Sequence, residues 1–278
     1  MVASCSGAFI CQIGAGAGAT GYGTTIVFSG NNFTGNTVGG AVGGDFTGVG
    51  AYGSGTTVNF TGNTFSGNSG IGGSDGGGAC GTGGNVTFSG NTFSGNSVSG
   101  HGGGVFCYGT GTFTLTNNTF VGNSGGDGGG AYLMNNGGAT TTITVSNNTF
   151  SGNSTASGKG GGVYCYNYSG TLTATIAANQ VQNNTGTSGG GLYLTGNTMN
   201  LFDNLVAKNS QSSSSSQGGG IWVDATSTLF MINNTVTGNT AAGSGGGATF
   251  QVTGVVELLK GSSQNPYLSK LITSIGWV

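Results

Sequence analysis

The sequence has almost no charge and only one proline. Its 278 residues include four lysines, no arginine and six acidic residues, and the formal net charge is -2. Proteins that bind phosphate backbones carry a basic stripe or patch, which four lysines without arginine do not supply. The composition therefore excludes nucleic acid as an expected partner.

Long apolar runs and metal-binding motifs are also missing. No run approaches the roughly 18 apolar residues of a membrane span, and the opening "MVASCSGAFIC" lacks the charged and apolar regions of a signal peptide. The five cysteines include no Cys-x-x-Cys pair and no cluster with histidine. We therefore predict no membrane span, no metal centre and no cofactor. Cys5 and Cys11 could pair in an N-terminal cap, and their spacing leaves that disulfide open.

What the sequence does contain is a repeat. Its 65 glycines stand at fixed offsets from Phe, Val and Ile, unlike the glycines of a disordered linker. The units align on one asparagine, with separations of 32, 28, 27, 30, 31, 25 and 30 residues, and these asparagines are Asn36, Asn68, Asn96, Asn123, Asn153, Asn184, Asn209 and Asn239. A near-constant period of this size predicts a solenoid whose coils stack and share one core.

Each unit carries the pattern of strands. Apolar and polar residues alternate over short runs rich in Thr, Val and Phe, bounded by Gly and Asn. Inward positions are the threonine-rich run with pairs such as Val86 and Phe88, a single residue such as Phe93, and the residues after a triple glycine such as Val105 and Cys107. The sequence therefore predicts an all-β fold, a parallel β-helix (β-solenoid) over residues 24–254, with three short strands in each of about eight coils of 25–32 residues.

The repeated asparagines have a structural explanation. Identical amides stacked at about 4.8 Å can hydrogen-bond from coil to coil and hold a tight turn. Buried amides must be satisfied, and such a ladder satisfies them. We therefore interpret the eight aligned asparagines as a structural ladder.

Two outward-facing patterns are candidates for a contact surface. The position after each triple glycine reads aromatic in five successive coils, at Phe106, Tyr132, Tyr164, Tyr193 and Trp222. Five exposed rings would form a larger apolar patch than most soluble monomers leave bare, although a stacked ladder that only stabilises the sheet explains them equally well. Outward threonines make a second array of the kind that orders water on ice-binding solenoids, and β-propensity is the simpler explanation for them.

Catalytic groups are sparse. Asp75, His101, Asp127 and Lys159 precede triple glycines in successive coils and could form an acid-base column, but later coils place Ser or Gln there. A solvated loop column that tolerates any polar residue is the simpler reading. Polysaccharide lyases and hydrolases built on this fold need clustered carboxylates, so we predict no catalytic residues and no enzyme activity.

The ends of the repeat differ from its interior. Residues 1–23 and 255–278 abandon the pattern, and neither looks like a polar cap. A solenoid exposes an open strand edge at each end unless it is capped. The two segments are therefore either caps on a monomer or assembly segments that join subunits head to tail by strand addition.

The motifs "FTGN", "FSGN" and "FVGN", each followed by "GGA" or "GGV", resemble the FxxN and GGA[ILV] repeats of chlamydial polymorphic membrane proteins. This resemblance covers about residues 24–254. It implies a right-handed parallel β-helix that works outside the cell or at a cell surface, in a family of autotransported adhesins. The chain departs from that family where FxxN becomes "VQNN", "VAKN" and "VTGN".

Two functions follow as expectations. The first is a non-enzymatic, extracellular fibre subunit that associates with copies of itself. The second is an adhesin that binds a glycan or a host surface protein through the aromatic positions. Ice binding and polysaccharide cleavage remain less favoured alternatives.

Overall fold

The protein is a parallel β-solenoid of about eight coils. The computed structural model describes residues 3–6, 11–12, 18–39 and 48–259, and every regular element among them is a strand. Each complete coil contributes one long strand, one three-residue strand and one two-residue strand, which stack into three parallel sheets. The predicted fold class is confirmed.

The strand bounds follow the repeat. In the long-strand sheet they are Ala19–Ser29, Ala51–Thr61, Ala79–Ser89, Val105–Thr116, Ala131–Ser146, Val163–Ala177, Leu192–Phe202 and Ile221–Ile232. The three-residue strands are Asn32–Thr34, Thr64–Ser66, Thr92–Ser94, Thr119–Val121, Thr149–Ser151, Gln180–Gln182, Leu205–Ala207 and Thr235–Thr237. The two-residue strands are Thr37–Val38, Ser69–Gly70, Ser97–Val98, Ser124–Gly125, Ser154–Thr155, Thr185–Gly186, Ser210–Gln211 and Thr240–Ala241.

The distribution of residues among the three strands differs from the expectation of three short ones. The run after the triple glycine and the threonine-rich run belong to one long strand, which we divide into a first arm (Val105–Gly109 in one coil) and a second arm (Thr112–Thr116). The register shifts between Gly109 and Thr112, where the strand bends. Glycine at this bend lets pairing continue around the corner, because it tolerates backbone conformations that other residues resist. The third strand is the two-residue strand after the aligned asparagine.

The core is a set of stacked columns. The predicted inward residues of both arms are buried, among them Val86, Phe88, Val105 and Cys107 at 0% exposure. The three-residue strands add a column of phenylalanines whose rings stack nearly parallel, at 4.7 Å between Phe65 and Phe93 and 4.6 Å between Phe120 and Phe150. Because like residues stack between neighbouring coils, a solenoid repeat is stable only when it is packed against other repeats.

The predicted asparagine ladder is confirmed, and the structure contains a second one. In the predicted ladder, each Nδ2 donates to Oδ1 of the asparagine in the next coil, at 2.7 Å from Asn36 to Asn68 and 2.9 Å from Asn123 to Asn153. A second ladder of the same design lies at the preceding corner, in Asn31, Asn63, Asn91, Asn118, Asn148, Asn179, Asn204 and Asn234. The sequence reasoning aligned the units on one asparagine and missed the other.

The residue before each ladder asparagine has a left-handed backbone conformation. Gly122 has φ of +63° before Asn123, and Asn147 has φ of +56° before Asn148. Glycine and asparagine adopt this conformation at the least cost. In most coils each of the two corners is therefore encoded by a Gly-Asn or an Asn-Asn dipeptide, in which the first residue turns the chain and the second joins the ladder.

The triple glycines are required by close approach of neighbouring coils. A Cβ placed on Gly103 would lie 2.5 Å from the carbonyl oxygens of Ser124 and Gly129, which are backbone atoms of the next coil. The preceding Gly102 has φ of +68°. A side chain at either position is therefore excluded by sterics or by backbone strain.

The two described ends of the solenoid differ. Ala3–Ser6 and Cys11–Gln12 pair antiparallel with the first long strand, Ala19–Ser29. At the other end, Ala248–Val252 and Val255–Leu259 both pair in parallel with Ile221–Ile232. The division at residues 23 and 255 stays a prediction, since residues 260–278 lie outside the described part. The Cys5–Cys11 disulfide also lies outside the side chains that are described.

Candidate functional site

The five aromatic positions form one column, but they are not an exposed face. Phe106 is fully buried, while Tyr132, Tyr164 and Tyr193 are only 4%, 5% and 6% exposed, and Trp222 is half-buried. The prediction of an exposed patch at these residues is therefore wrong. They form a second hydrophobic cluster on the outside of the first arms, separate from the solenoid core.

This aromatic column is covered by neighbours that the sequence reasoning did not consider. In each first arm, the residue two positions after the aromatic one also points outward. At this position Tyr108, Met134 and Tyr166 pack against the solvent side of the aromatic column. On the other side, the loop before each triple glycine lies against it, and the His101 ring stacks on Tyr132 with 4.7 Å between centroids. Within the column, rings of neighbouring coils lie 4.8 to 5.7 Å apart. The three tyrosine rings inside the column therefore gain aromatic contacts above and below, and the end rings Phe106 and Trp222 gain them on one side.

Asp75, His101, Asp127 and Lys159 do stack, as one charged column beside the aromatic one. Asp75 Oδ1 accepts the His101 backbone N–H at 2.6 Å, and Asp127 Oδ1 accepts the Lys159 backbone N–H at 2.8 Å. His101 Nδ1 lies 3.4 Å from Asp127 Oδ2, an ion-pair distance at an angle unsuited to a hydrogen bond. Each carboxylate therefore holds the loop of the next coil.

Charge and burial shift the titration of these groups. The Asp127 carboxylate raises the pKa of His101 above its usual range, while burial acts in the opposite direction. Burial alone would raise the pKa of Asp127, but its ion pair with His101 and the hydrogen bond from the Lys159 N–H outweigh burial and lower it. Burial raises the pKa of Asp75 and, more strongly, those of Tyr132 and Tyr164. Both tyrosines therefore remain neutral phenols at physiological pH.

An open groove lies beside the aromatic and charged columns, in the coils that contain Lys159, Tyr193 and Asp224. Its cavity volume is about 260 Å³, and it is lined by Lys159, Tyr164, Tyr166, Asn167, Tyr193, Thr195, Gly196 and Asp224. The Lys159 ammonium stands 4.8 Å from the centre of the Tyr193 ring. Tyr166 is half-buried, Asp224 is exposed, and the neighbouring Tyr168 is 65% exposed. We call this feature the tyrosine groove.

The tyrosine groove includes two of the predicted contact residues, Tyr164 and Tyr193, and one outward-facing tyrosine that the sequence analysis did not single out, Tyr166. The signal was the alternation in "VYCYNY", where Tyr164, Tyr166 and Tyr168 occupy every second position. Period two places all three on one face of a strand. Which of them water reaches depends on how the loops cover the first arm, and that cannot be read from alternation.

The three cysteines whose side chains are described behave as buried apolar residues, two in the solenoid core and Cys80 in the outer aromatic cluster. Cys107 and Cys165 both pair with Leu133, so that two coil steps separate them, as the sequence spacing predicted. Cys80, Cys107 and Cys165 are free and fully buried. Burial raises the pKa of the Cys165 thiol to about 12 and those of the other two well above their usual range. None carries the thiolate that metal binding or redox chemistry needs.

The described residues contain neither a cluster of metal ligands nor a membrane-spanning helix. No group of three or more His, Cys, Asp or Glu side chains that could hold a metal ion occurs among residues 18–39 and 48–259. The described ranges likewise contain no helix with the length and apolarity needed to cross a bilayer.

The comparisons with known proteins agree with this architecture. The family model of a right-handed β-helix region matches residues 16–185, which is more than half of the chain. No curated protein and no solved structure matches the sequence significantly. With coils stacked in three parallel sheets and this match across its first six coils, the chain belongs to the right-handed β-helix family.

Proposed function

We propose that this protein is a non-enzymatic, rigid β-solenoid that works at a cell surface and binds a glycan through the tyrosine groove. The observation that carries the proposal is the groove itself, in which the accessible ring of Tyr166 lies on the same face as Lys159 and Asp224. Right-handed β-helices include polysaccharide-cleaving enzymes as well as proteins without catalytic activity, so family membership alone does not choose between these roles.

The chemistry of the groove suits a sugar. A sugar ring presents apolar C–H groups on its faces and hydroxyls around its edge. An aromatic ring accepts the apolar face, and a few placed polar groups fix the orientation. Tyr166 offers the ring, while Lys159 donates and Asp224 accepts hydrogen bonds. Because the groove spans neighbouring strands of a packed sheet, it is formed before the ligand arrives, which lowers the entropic cost of binding.

The charged column supports a role without catalysis. A general acid or base must reach the substrate's proton, but one oxygen of Asp75 and one of Asp127 already accept backbone N–H groups of the next coil. The nearest exposed carboxylate to the groove is Asp224, which is not paired with a second carboxylate in the lining. Glycoside hydrolysis by the common mechanism needs two such groups flanking one bond.

The resemblance to chlamydial surface repeats supports the location. Those proteins are adhesins presented outside the cell, and their FxxN motif corresponds here to the phenylalanine column followed by a ladder asparagine, as in Phe93 and Asn96. The motif serves the solenoid, so it supports a shared architecture. The extracellular location and the glycan ligand belong to the proposal.

The Tyr166→Ser variant tests the groove. We expect its affinity for the glycan to fall at least about tenfold, because loss of a stacked aromatic contact costs on the order of 1.5 kcal/mol. Affinity gel electrophoresis with cellulose derivatives, soluble chitin, xylan and polygalacturonate would identify the polymer that retards the unmodified protein. The same gels would then compare the variants.

Tyr22→Ser is the matched control. Tyr22 stands in the same outward column as Tyr166, in the first coil, and is 53% exposed. It should bind like the unmodified protein. If none of the polymers retards the protein, or if both serine variants bind equally, the groove is not a glycan site. Cleavage of the bound polymer, abolished by Asp127→Asn, would contradict the non-enzymatic part.

Self-association is the second candidate function, and the C-terminal coil favours it. Phe250, Val252, Val256 and Leu258 pack against the core but stay only partly buried, and Val255 is 52% exposed. Among the described strands, Ala248–Val252 pairs on one edge alone. At the opposite end, the edge of Ala19–Ser29 is already paired with antiparallel strands. An assembly through the C-terminal coil would thus join like ends more readily than head to tail.

The oligomeric state tests this second candidate. Joining like ends gives a closed two-fold dimer, whereas joining unlike ends gives an open fibre. We expect light scattering after gel filtration to give a dimer mass, and Phe250→Asp to restore the monomer. Fibres in electron micrographs would instead favour head-to-tail assembly, and a monomer at all concentrations would contradict both.

A further inference from the structure

The outward side of the second arms carries an unbroken block of threonines. In register across three coils, Thr112, Thr142 and Thr173 form one column and Thr114, Thr144 and Thr175 form a second. Thr87 extends the second column by one coil and Thr198 extends the first. We call these eight residues the threonine face. Asn85 and Asn200 stand beside Thr87 and Thr198 in the two end coils of this block, whereas Val27, Asn59 and Phe230 lie in coils outside it.

The threonine face is regular in both directions. Residues two apart on a strand repeat about every 6.8 Å, and neighbouring coils repeat about every 4.8 Å. The register shifts of the long strands fall before Thr112 and Thr140, so the second arms from Thr112 and Thr142 onward continue without a bulge. Hydroxyls and methyls therefore recur on a regular two-dimensional lattice.

The lattice is rigid because of what lies behind it. Phe113, Leu115, Ile143, Val145 and Ile176 alternate with the threonines and are all fully buried in the core. The corner that follows each second arm is held by the second asparagine ladder, through bonds such as that from Asn118 Nδ2 to Asn148 Oδ1 at 3.0 Å. A β-branched residue in a strand also has few side-chain conformations.

The hydroxyls of the threonine face are left to solvent. Within residues 18–39 and 48–259, those of Thr112, Thr114, Thr142, Thr144 and Thr173 make no hydrogen bond to protein. Thr175 accepts one long bond of 3.4 Å from Asn200 Nδ2. All eight side chains are exposed or partly exposed, and no charged residue stands among them. A charge would impose its own hydration shell on the neighbouring water.

We propose that the threonine face binds ice. Water that bridges several fixed hydroxyls loses little further entropy when it joins a crystal, because the protein side of the contact is already ordered. The methyl groups between the hydroxyls exclude disordered water from the same plane. Ice repeats on a lattice of this scale and offers only neutral hydrogen-bonding groups.

Thr144→Lys tests the proposal at the centre of the face. In nanolitre osmometry, the unmodified full chain should show a gap between the melting and freezing temperatures of a held ice crystal, and the variant should lose most of that gap. Thr149→Lys is the control, because Thr149 is a partly exposed threonine of the same coil in the three-residue sheet. It should keep the gap, and circular dichroism should show the same fold for all three proteins.

The outcomes separate cleanly. If the unmodified protein shows neither a hysteresis gap nor inhibition of ice recrystallisation, the threonine face does not bind ice. Equal loss from Thr144→Lys and Thr149→Lys would also overturn the assignment, because it would not depend on the face. The tyrosine groove lies on the first arms, so Tyr166→Ser should leave ice binding intact, and either function can fail without the other.

Discussion

Replacing Asn123 by alanine should lower the free energy of unfolding by about 3–6 kcal/mol, because it orphans several buried polar groups at about 1–3 kcal/mol each. Asn123 is fully buried. Its Oδ1 accepts the Asn96 backbone N–H at 3.1 Å and Asn96 Nδ2 at 2.9 Å. Its Nδ2 donates to the Phe93 carbonyl at 3.0 Å and to Asn153 Oδ1 at 2.9 Å. All four partner atoms would face an apolar methyl with no access to water.

The measurement is urea denaturation of the unmodified protein and the variant. Asn147→Gly is the matched control, since Asn147 is an exposed corner asparagine with φ of +56° that glycine tolerates. We expect it to change the free energy by no more than about 0.5 kcal/mol. If Asn123→Ala proved as mild as Asn147→Gly, the ladder would be a by-product of stacking and would not hold the turns.

The ladder shows what the sequence could reveal. An asparagine that recurs every 25–32 residues is visible in one chain because its partner is its own equivalent in the next coil. A solenoid thus turns long-range contacts into a period. The fold, the core columns and the ladder at Asn123 were predictable for this reason. The second ladder was equally periodic and was missed only because alignment used a single asparagine.

The candidate site was less predictable. The sequence placed Tyr164 outward, which is right, but outward does not mean exposed. Tyr164 is covered by its neighbours on both sides, including Tyr166 from the same strand at 5.5 Å between ring centroids. The covering loops vary in length between coils, so the period says nothing of which ring water can reach. The groove beside Lys159 depends on those loops.

The contacts of the charged column were also only partly predictable from the sequence. Asp75, His101, Asp127 and Lys159 were seen to fall in successive coils, and the structure brings them into contact. The sequence does not show that the carboxylates of Asp75 and Asp127 accept backbone N–H groups of the next coil. Such a bond depends on loop geometry within a few tenths of an ångström, since donor and acceptor must meet at about 2.7–3.2 Å.

Removing the Phe120 ring should cost about 3–5 kcal/mol, the usual penalty for emptying a buried aromatic site that cannot collapse. Phe120 is fully buried, and its ring stacks between Phe93 at 4.7 Å and Phe150 at 4.6 Å. Collapse is prevented from two sides. The stacked neighbours are fixed by strand pairing, and the backbone facing the ring is Gly104, where an added Cβ would lie 2.9 Å from Phe120 Cδ1.

Val121→Ala is the control for Phe120→Ala. Val121 is the next residue of the same three-residue strand and is 45% exposed, so its truncation should cost no more than about 0.5 kcal/mol. Urea denaturation gives both values, and hydrogen exchange tells where the loss falls. Because each coil contacts only its neighbours, protection should drop first in the strands that contain Phe93, Phe120 and Phe150. A uniform drop over the whole chain would mean that the solenoid unfolds as one unit and that its stability is not a sum over coils.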